Sequence, residues 1–333
     1  LAHLPDEDIR AMASYLASFT ATDAATQPAT QPVSDPQQRA QTVHMHPRRI
    51  KGFAYSILKA LDAWLPVRLP GFMPFPADYL RRLAAIPRDT PVLIFGIENI
   101  KDLRILRKHL PTRRIALFTW NPVTDYQQHH GLRRVHLWQL KRLGFRMFTF
   151  DPADAAAYGI TLIPQVYRRA DPAPHATPTR WDIYFLGKDK GRFATLRALG
   201  ETWRAEGLRV HLCMTREPGS HYPATPAIEL MDDSLGYQDN IDALQQARCV
   251  LEIVQARQTG PTIRCMEALF FDKKLITNNV AVVHQPFYDP DRIYVLGHDT
   301  AERFAVFMAC QPAAVAPEVL DAHDFAHWIR QFT

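Results

Sequence analysis

The stretch Gln258-Thr-Gly-Pro-Thr-Ile-Arg-Cys-Met-Glu-Ala-Leu-Phe-Phe-Asp-Lys-Lys-Leu-Ile-Thr-Asn-Asn279 decides how this 333-residue chain reads. The apolar run Cys249-Val-Leu-Glu-Ile-Val254 before it has the look of a buried strand. Gly260 and Pro261 mark a turn, a helix opens around Thr262, and Lys274-Leu-Ile-Thr277 reads as the next strand. A strand, turn, helix and strand in succession form a unit of a parallel sheet. Pro261 is expected in the first helical turn, where its missing N–H would be unpaired anyway. Thr262 can cap the helix or bond a ligand. The unpaired N–H groups and partial positive charge of a helix start suit an anion such as a diphosphate. Arg264 adds a fixed cationic fork. Glu267, three residues on, shares its face, placed to accept hydrogen bonds from ribose hydroxyls. The plainer alternative is an ordinary capped helix with a surface ion pair.

Outward from this unit the same alternation recurs. Pro91–Gly96, Arg114–Trp120 and Arg146–Phe150 read as buried strands separated by helices over Asn99–Leu110 and Leu132–Leu143. Asp151-Pro152 opens a further short helix, with Asp151 as its cap. The polar segment Tyr167–Arg180, broken by Pro172, Pro174 and Pro178, separates this set from a second. The second set has strands at Trp181–Gly187, Arg209–Met214, Ile228–Met231 and Ile293–Leu296. Its helices are expected at Arg192–Glu206, Asn240–Ala247, Ala301–Cys310 and Asp321–Phe332. The fold class is therefore α/β: two Rossmann-like doubly wound domains with a flexible N-terminal extension. Residues 1–45 form a helix plus a disordered linker, residues 46–170 the first domain and residues 180–333 the second.

Ligands of such sheets sit beyond the carboxyl ends of the strands. In the first domain this singles out Gly96, Glu98, Asn121 and Asp125. In the second it singles out the loop Gly187-Lys-Asp-Lys-Gly-Arg192, which follows a strand and opens a helix. Its glycines let the backbone approach a ligand, and Lys188, Lys190 and Arg192 supply charge. The loop matches neither GxGxxG nor a Walker loop. A charged turn is the plainer reading, but two anion-friendly helix starts above one sheet favour a site.

Composition sets the bounds. A hydrophobic fraction of 47% provides a large core, and a formal charge of +5 suits a phosphorylated ligand or an anionic membrane surface. It does not by itself point to nucleic acid. Cys213, Cys249, Cys265 and Cys310 have no CxxC spacing and read as small hydrophobes of a reducing compartment, not as a disulfide frame or a metal site. His44, His46, His129 and His130 lack the carboxylate or HExxH context of a metal site. There is no Gly-x-Ser-x-Gly elbow and no apolar run of the roughly 18 residues that a membrane span needs. Residues Arg48–Leu65 form an amphipathic helix with a basic side, either packed on the first domain or lying on a membrane. Residues Leu4–Phe19 resemble the last helix of bacterial cytochromes c, but the chain has no Cys-x-x-Cys-His, and haem is not expected.

Several segments together resemble a family. They are Trp120-Asn-Pro122, Phe150–Gly159, Gln165-Val-Tyr167, Asp182–Arg192, Leu251-Glu-Ile253, Gln258–Arg264, Glu267–Asn279 and Phe287-Tyr288. As a set they resemble bacterial lipopolysaccharide or capsule biosynthesis proteins of the GT-B glycosyltransferase type, over roughly residues 50–330. The resemblance implies a nucleotide-sugar donor on the second domain and a glycan or lipid-linked acceptor on the first, in the cytoplasm, with a peripheral inner-membrane contact as a further expectation. No metal or other cofactor is implied, since helix starts and basic side chains would stabilise the leaving diphosphate. The donor set is then Gly187, Lys188, Lys190, Arg192, Gln258, Gly260, Thr262, Arg264 and Glu267, with Glu267 on the ribose. No acceptor base matches the family; Glu98, Asp125 and His129 are the candidates, and retaining or inverting chemistry is open. A sugar-nucleotide epimerase, or a degenerate module that binds without turnover, are the alternatives.

Overall fold

The computed structural model describes residues 75–95, 100–119, 123, 137–169, 177–217, 219–233, 235–254 and 258–332. The N-terminal helix and linker, the amphipathic stretch Arg48–Leu65, and the candidates Gly96, Glu98, Asn121, Asp125 and His129 lie outside them.

The described residues build two parallel sheets in succession. In the first, β1 (Val92–Phe95), β2 (Ile115–Thr119), β3 (Arg146–Thr149) and β4 (Thr161–Leu162) lie side by side in chain order, all parallel. Every residue of β2 is buried, as expected of a central strand covered on both faces. One face packs on α1 (Ala77–Ala84), α2 (Ile100–His109) and α3 (Leu137–Arg142), through Tyr79, Leu103, Leu106 and Leu140 against Ile115, Leu117 and Met147. Helix α1 begins directly after Pro76, and its Tyr79 and Leu83 are spaced to bury one side of the helix.

Helix α4 (Pro152–Tyr158) follows β3 and is capped as expected: the Asp151 carboxylate accepts the N–H groups of Ala153 and Asp154, and Gly159 closes it at φ 60°.

The second sheet is six-stranded and all parallel. Its strands are β5 (Trp181–Lys188), β6 (Val210–Thr215), β7 (Glu229–Met231), β8 (Ala247–Glu252), β9 (Lys274–Thr277) and β10 (Ile293–Val295). The spatial order is β10-β9-β8-β5-β6-β7. Helices α5 (Phe193–Ala205) and α8 (Ala301–Ala309) cover one face through Leu196, Trp203 and Phe307. Helices α6 (Tyr237–Gln245) and α7 (Ile263–Phe270) cover the other through Leu244, Cys265, Met266 and Leu269. That second layer is continuous with the inner face of the first sheet, including Phe118, Phe148 and Phe150, so the two units share one apolar layer.

The chain then returns to the first sheet. Where the spacing predicts one helix over Asp321–Phe332, the structure has α9 (Pro317–His323), α10 (Phe325–Trp328) and a closing 3-10 turn, Ile329–Phe332. The break falls at Asp324, whose extended backbone (φ −74°, ψ 131°) forms a parallel bridge with Tyr167. The Asp324 carboxylate accepts the Arg169 N–H at 3.0 Å. Pairing with the chain that leaves the first sheet overrides helical periodicity here. Trp328 then sits edge-on to Phe118 at 5.0 Å and donates its indole N–H to the Pro164 carbonyl at 2.7 Å.

His323 is buried at this junction, with its Nδ1 2.6 Å from the Gln165 carbonyl oxygen. Burial holds its pKa below the ordinary histidine value. The unfolded chain therefore binds a proton that the folded chain resists. The contribution is complete above the unfolded pKa of about 6.5 and is lost as pH falls through it. Stability measured by urea unfolding should decline from about pH 6.5 downward, and less steeply in His323→Gln. An identical slope in the variant would remove His323 from the explanation.

Candidate functional site

The order of the second sheet reverses at β5. From β5 the chain builds outward through β6 and β7, then crosses back to place β8 on the other side of β5. Helix α5, after β5, and helix α7, after β8, consequently lie on opposite faces. The loops leaving adjacent strands diverge, and a crevice opens beyond their carboxyl ends, where α/β sheets bind ligands. Both cationic segments singled out in the sequence arrive there.

The β5–α5 loop is held from within. Lys190 and Gly191 take φ 48° and 76°, a left-handed pair that turns the chain sharply into α5. The Asp189 carboxylate accepts the Phe193 N–H at 2.8 Å and the Tyr222 hydroxyl at 3.0 Å. Glu217 accepts the Lys190 N–H at 3.0 Å. Arg192 spans the crevice floor: its guanidinium donates to the carbonyls of Lys188, Asp189 (3.1 Å) and Ile253 (2.9 Å), and lies 5.2 Å from the centre of the Phe185 ring. A side chain on Gly187 would meet this guanidinium at 3.0 Å, which accounts for the glycine. Burial, and next the charge of Arg264, lower the Arg192 pKa to about 10; it remains a cation at neutral pH. Lys188 and Lys190 are half-buried beside it.

The α7 start is less open than the sequence suggests. Thr262 is the cap, so Pro261 precedes the helix instead of opening its first turn. The Thr262 hydroxyl accepts the Arg264 N–H at 3.0 Å and donates to Glu252, which also accepts the Thr262 N–H at 3.2 Å. Thus the N–H groups of Thr262 and Arg264 already have protein partners. Glu252 is buried at the end of β8, and burial raises its pKa.

Arg264 and Glu267 do form an ion pair, but it is not a surface one: Glu267 is 1% exposed. Arg264 also donates to the Asn240 amide oxygen at 3.0 Å, Asn240 donates to Glu267 at 3.1 Å, and the Tyr184 hydroxyl donates to Asn240 at 3.1 Å. Glu267 therefore fixes the guanidinium at the crevice from behind, and both of its oxygens are engaged.

The first unit closes one side. Asp151, besides capping α4, accepts the N–H groups of Thr259 and Gly260, each at 2.8 Å, and the Thr259 hydroxyl at 2.7 Å. Gly260 abuts the Phe150 and Asp151 backbone so closely that a β-carbon would fall 2.7 Å from the Phe150 carbonyl oxygen. Gln165 donates to the Pro261 carbonyl at 3.4 Å, and the hydroxyls of Tyr167 and Tyr237 touch. Gln258 is half-buried at the start of this segment.

Gly187, Lys188, Lys190 and Arg192 thus lie at the end of β5 and in the loop after it, and Gln258, Gly260, Thr262, Arg264 and Glu267 in the loop after the adjacent β8 and in α7. Tyr184, Asn240, Asp189 and Glu252 were not singled out by sequence. Only Glu252 carried a usable signal, a lone carboxylate inside an apolar strand that must find partners when buried. Chemically the arrangement can bind an anion with two charges or more.

No protein-family description matches the chain, and no curated protein matches it. Solved structures similar to it include AviGT4, a glycosyltransferase involved in avilamycin A biosynthesis, at 18% identity, 78% of this chain, 77% of that chain and TM-score 0.48. Another is an alpha-glucosyltransferase in complex with UDP and a 13-mer DNA, at 10% identity, 77% of each chain and TM-score 0.49. A third is an α,α-trehalose-phosphate synthase (UDP-forming) from Burkholderia vietnamiensis, at 12% identity, 85% of this chain, 76% of that chain and TM-score 0.43. Likeness at this level carries no substrate or reaction over to this chain. Among the described residues no helix is long and apolar enough to cross a membrane.

Proposed function

We propose that this chain is a glycosyltransferase of the GT-B type that moves a sugar from a nucleotide-sugar donor to a cell-envelope glycan or its lipid-linked precursor. The observation that supports the reading is the switch point of the second sheet, where the cationic segments Lys188–Arg192 and Thr262–Arg264 follow the adjacent strands β5 and β8 and bring Arg192 and Arg264 within each other's field. In this proposal the donor's diphosphate lies across the β5–α5 loop and the α7 start. Breaking the sugar–phosphate bond builds negative charge on the departing diphosphate, and fixed cations stabilise that charge more than they stabilise the bound donor. Arg264, locked by Glu267 and Asn240, requires little reorganisation. Glu267 is 1% exposed, so contact with a donor ribose requires the groups that cover it to move. The acceptor, its base among Glu98, Asp125 and His129, work without a metal, and a cytoplasmic setting at the inner membrane complete the proposal.

The test measures nucleoside diphosphate released from a panel of nucleotide sugars, with and without glycan or lipid-linked acceptors. Acceptor-dependent release is expected with one donor, and Lys188→Ala and Lys190→Ala should each lower turnover about 10²-fold. A change in the sugar with no diphosphate released would point to epimerisation. Turnover unaffected in both lysine variants would contradict the placement of the diphosphate.

A further inference from the structure

A second group of side chains converges away from the crevice. His211 and Cys213 stand two residues apart on β6, so they leave the same face of the sheet. Cys213 is in register with Glu229 on the edge strand β7. The Cys213 Sγ lies 3.9 Å from His211 Nδ1 and 4.0 Å from Glu229 Oε2, and His211 Nδ1 lies 3.7 Å from that oxygen. The three donor atoms form a nearly equilateral triangle. Nitrogen and oxygen ligands about 2.0 Å, and sulfur about 2.3 Å, from a tetrahedral centre stand roughly 3.3–3.6 Å apart. Seating an ion requires a contraction of a few tenths of an ångström and a turn of the His211 ring that aims a nitrogen lone pair at the centre, since Sγ now lies nearer Nε2 than Nδ1.

Two aromatic neighbours hold the ring of His211 in place. It stacks on Trp181 at 4.6 Å with 14° between planes, and on Tyr184 at 5.8 Å with 24°. The opposing charge nearby is Arg180, whose guanidinium lies over the Trp181 ring at 4.8 Å. The Glu229 carboxylate, in the triangle itself, offsets it. Sulfur, imidazole and carboxylate together suit a borderline-soft ion, not calcium or magnesium. In the metal-free arrangement the thiol also stands 3.2 Å from His211 Nε2, so the test must separate coordination from a simple thiol–imidazole contact.

We propose that His211, Cys213 and Glu229 bind a divalent cation of the zinc class, with water completing its coordination. Binding breaks the Cys213 S–H bond, releases the proton to solvent and forms a sulfur–metal bond, without oxidation or reduction. The site lies near the start of β6. The donor crevice lies beyond its end, where Thr215 is in register with Lys188. Along β6, Thr215 stands two residues from Cys213 and four from His211, about 7 and 13 Å. The ion would cross-link the edge strand β7 to β6.

Titration of the full chain with Co²⁺ should give a near-ultraviolet thiolate-to-cobalt charge-transfer band that Zn²⁺ abolishes by displacement. Cys213→Ser should remove the band. Glu229→Gln, whose side chain is mostly exposed and whose loss leaves the fold intact, should weaken Co²⁺ affinity by about tenfold or more. No charge-transfer band at excess Co²⁺, or a band unchanged in Cys213→Ser, would overturn the proposal. If Cys213→Ser does not fold, full Co²⁺ affinity in Glu229→Gln overturns it equally.

Discussion

Replacing Asp151 by alanine should lower the free energy of unfolding by on the order of 3–5 kcal/mol, because four backbone donors lose a buried acceptor at once. Asp151 is 1% exposed and gathers the N–H groups of Ala153, Asp154, Thr259 and Gly260 around one carboxylate. The first two belong to α4, which they cap; the other two belong to the β8–α7 loop. One side chain therefore joins the two units, and its loss leaves Thr259 and Gly260 without that acceptor. Gly260→Ala attacks the same contact sterically: its β-carbon meets backbone of Phe150 and Asp151, which cannot swing aside as a side chain can. Overpacking of this kind costs about 1–3 kcal/mol. Urea unfolding of the two variants and their double mutant measures both effects. The double should fall short of the sum, because each change already separates the same surfaces. Losses below about 0.5 kcal/mol, the level of an ordinary surface substitution, would contradict the role given to Asp151.

Arg264→Ala should cost about 3–5 kcal/mol of stability, the range for removing one partner of a buried ion pair. The Glu267 carboxylate, 1% exposed, would keep Asn240 as a partner and lose its countercharge. Glu267→Gln should cost less, since the amide retains a hydrogen-bonding oxygen. Arg264→Ala combined with Glu267→Gln should recover part of the single-mutant loss, because no unpaired charge remains. Unfolding measured across this cycle gives the coupling energy. Additive effects would show that the pair is not energetically linked, against the geometry of the site. Loss of activity in Arg264→Ala alone says little about the diphosphate, which is why the lysines serve as functional probes.

What the sequence conveyed depended on whether a signal was local. Strand periods such as Trp181–Gly187 and Lys274–Thr277, and the cap at Asp151, arise from neighbouring residues and were legible. So was the arrival of Gly187–Arg192 and Thr262–Glu267 at the carboxyl end of one sheet, since parallel topology dictates where loops after strands lie. Contacts between distant segments were not. Nothing near Asp151 indicates that its carboxylate also binds residue 260, and nothing near Glu267 indicates Asn240 behind it. The plainer alternative, a surface Arg264–Glu267 pair, did not hold for the same reason: the i,i+3 spacing fixes a shared helix face but not what covers that face. The final helix broke at Asp324 because pairing with Tyr167, far away in the chain, outweighed a local period. Glu98, Asp125 and His129 lie outside the described residues, so the acceptor side rests on the sequence.

The most direct measurement is a thermal-shift panel of UDP, GDP, CDP, ADP, CMP and common nucleotide sugars on the wild type and on a Lys188→Ala, Lys190→Ala double variant. A ligand that binds only the folded state raises the melting temperature according to its concentration over its dissociation constant. One nucleoside diphosphate should raise the wild-type melting temperature clearly, and the double variant, folded and equally stable without ligand, should lose that shift. No shift with any nucleotide, or a shift equal in both proteins, would contradict a nucleotide-sugar site at the β5–β8 crevice.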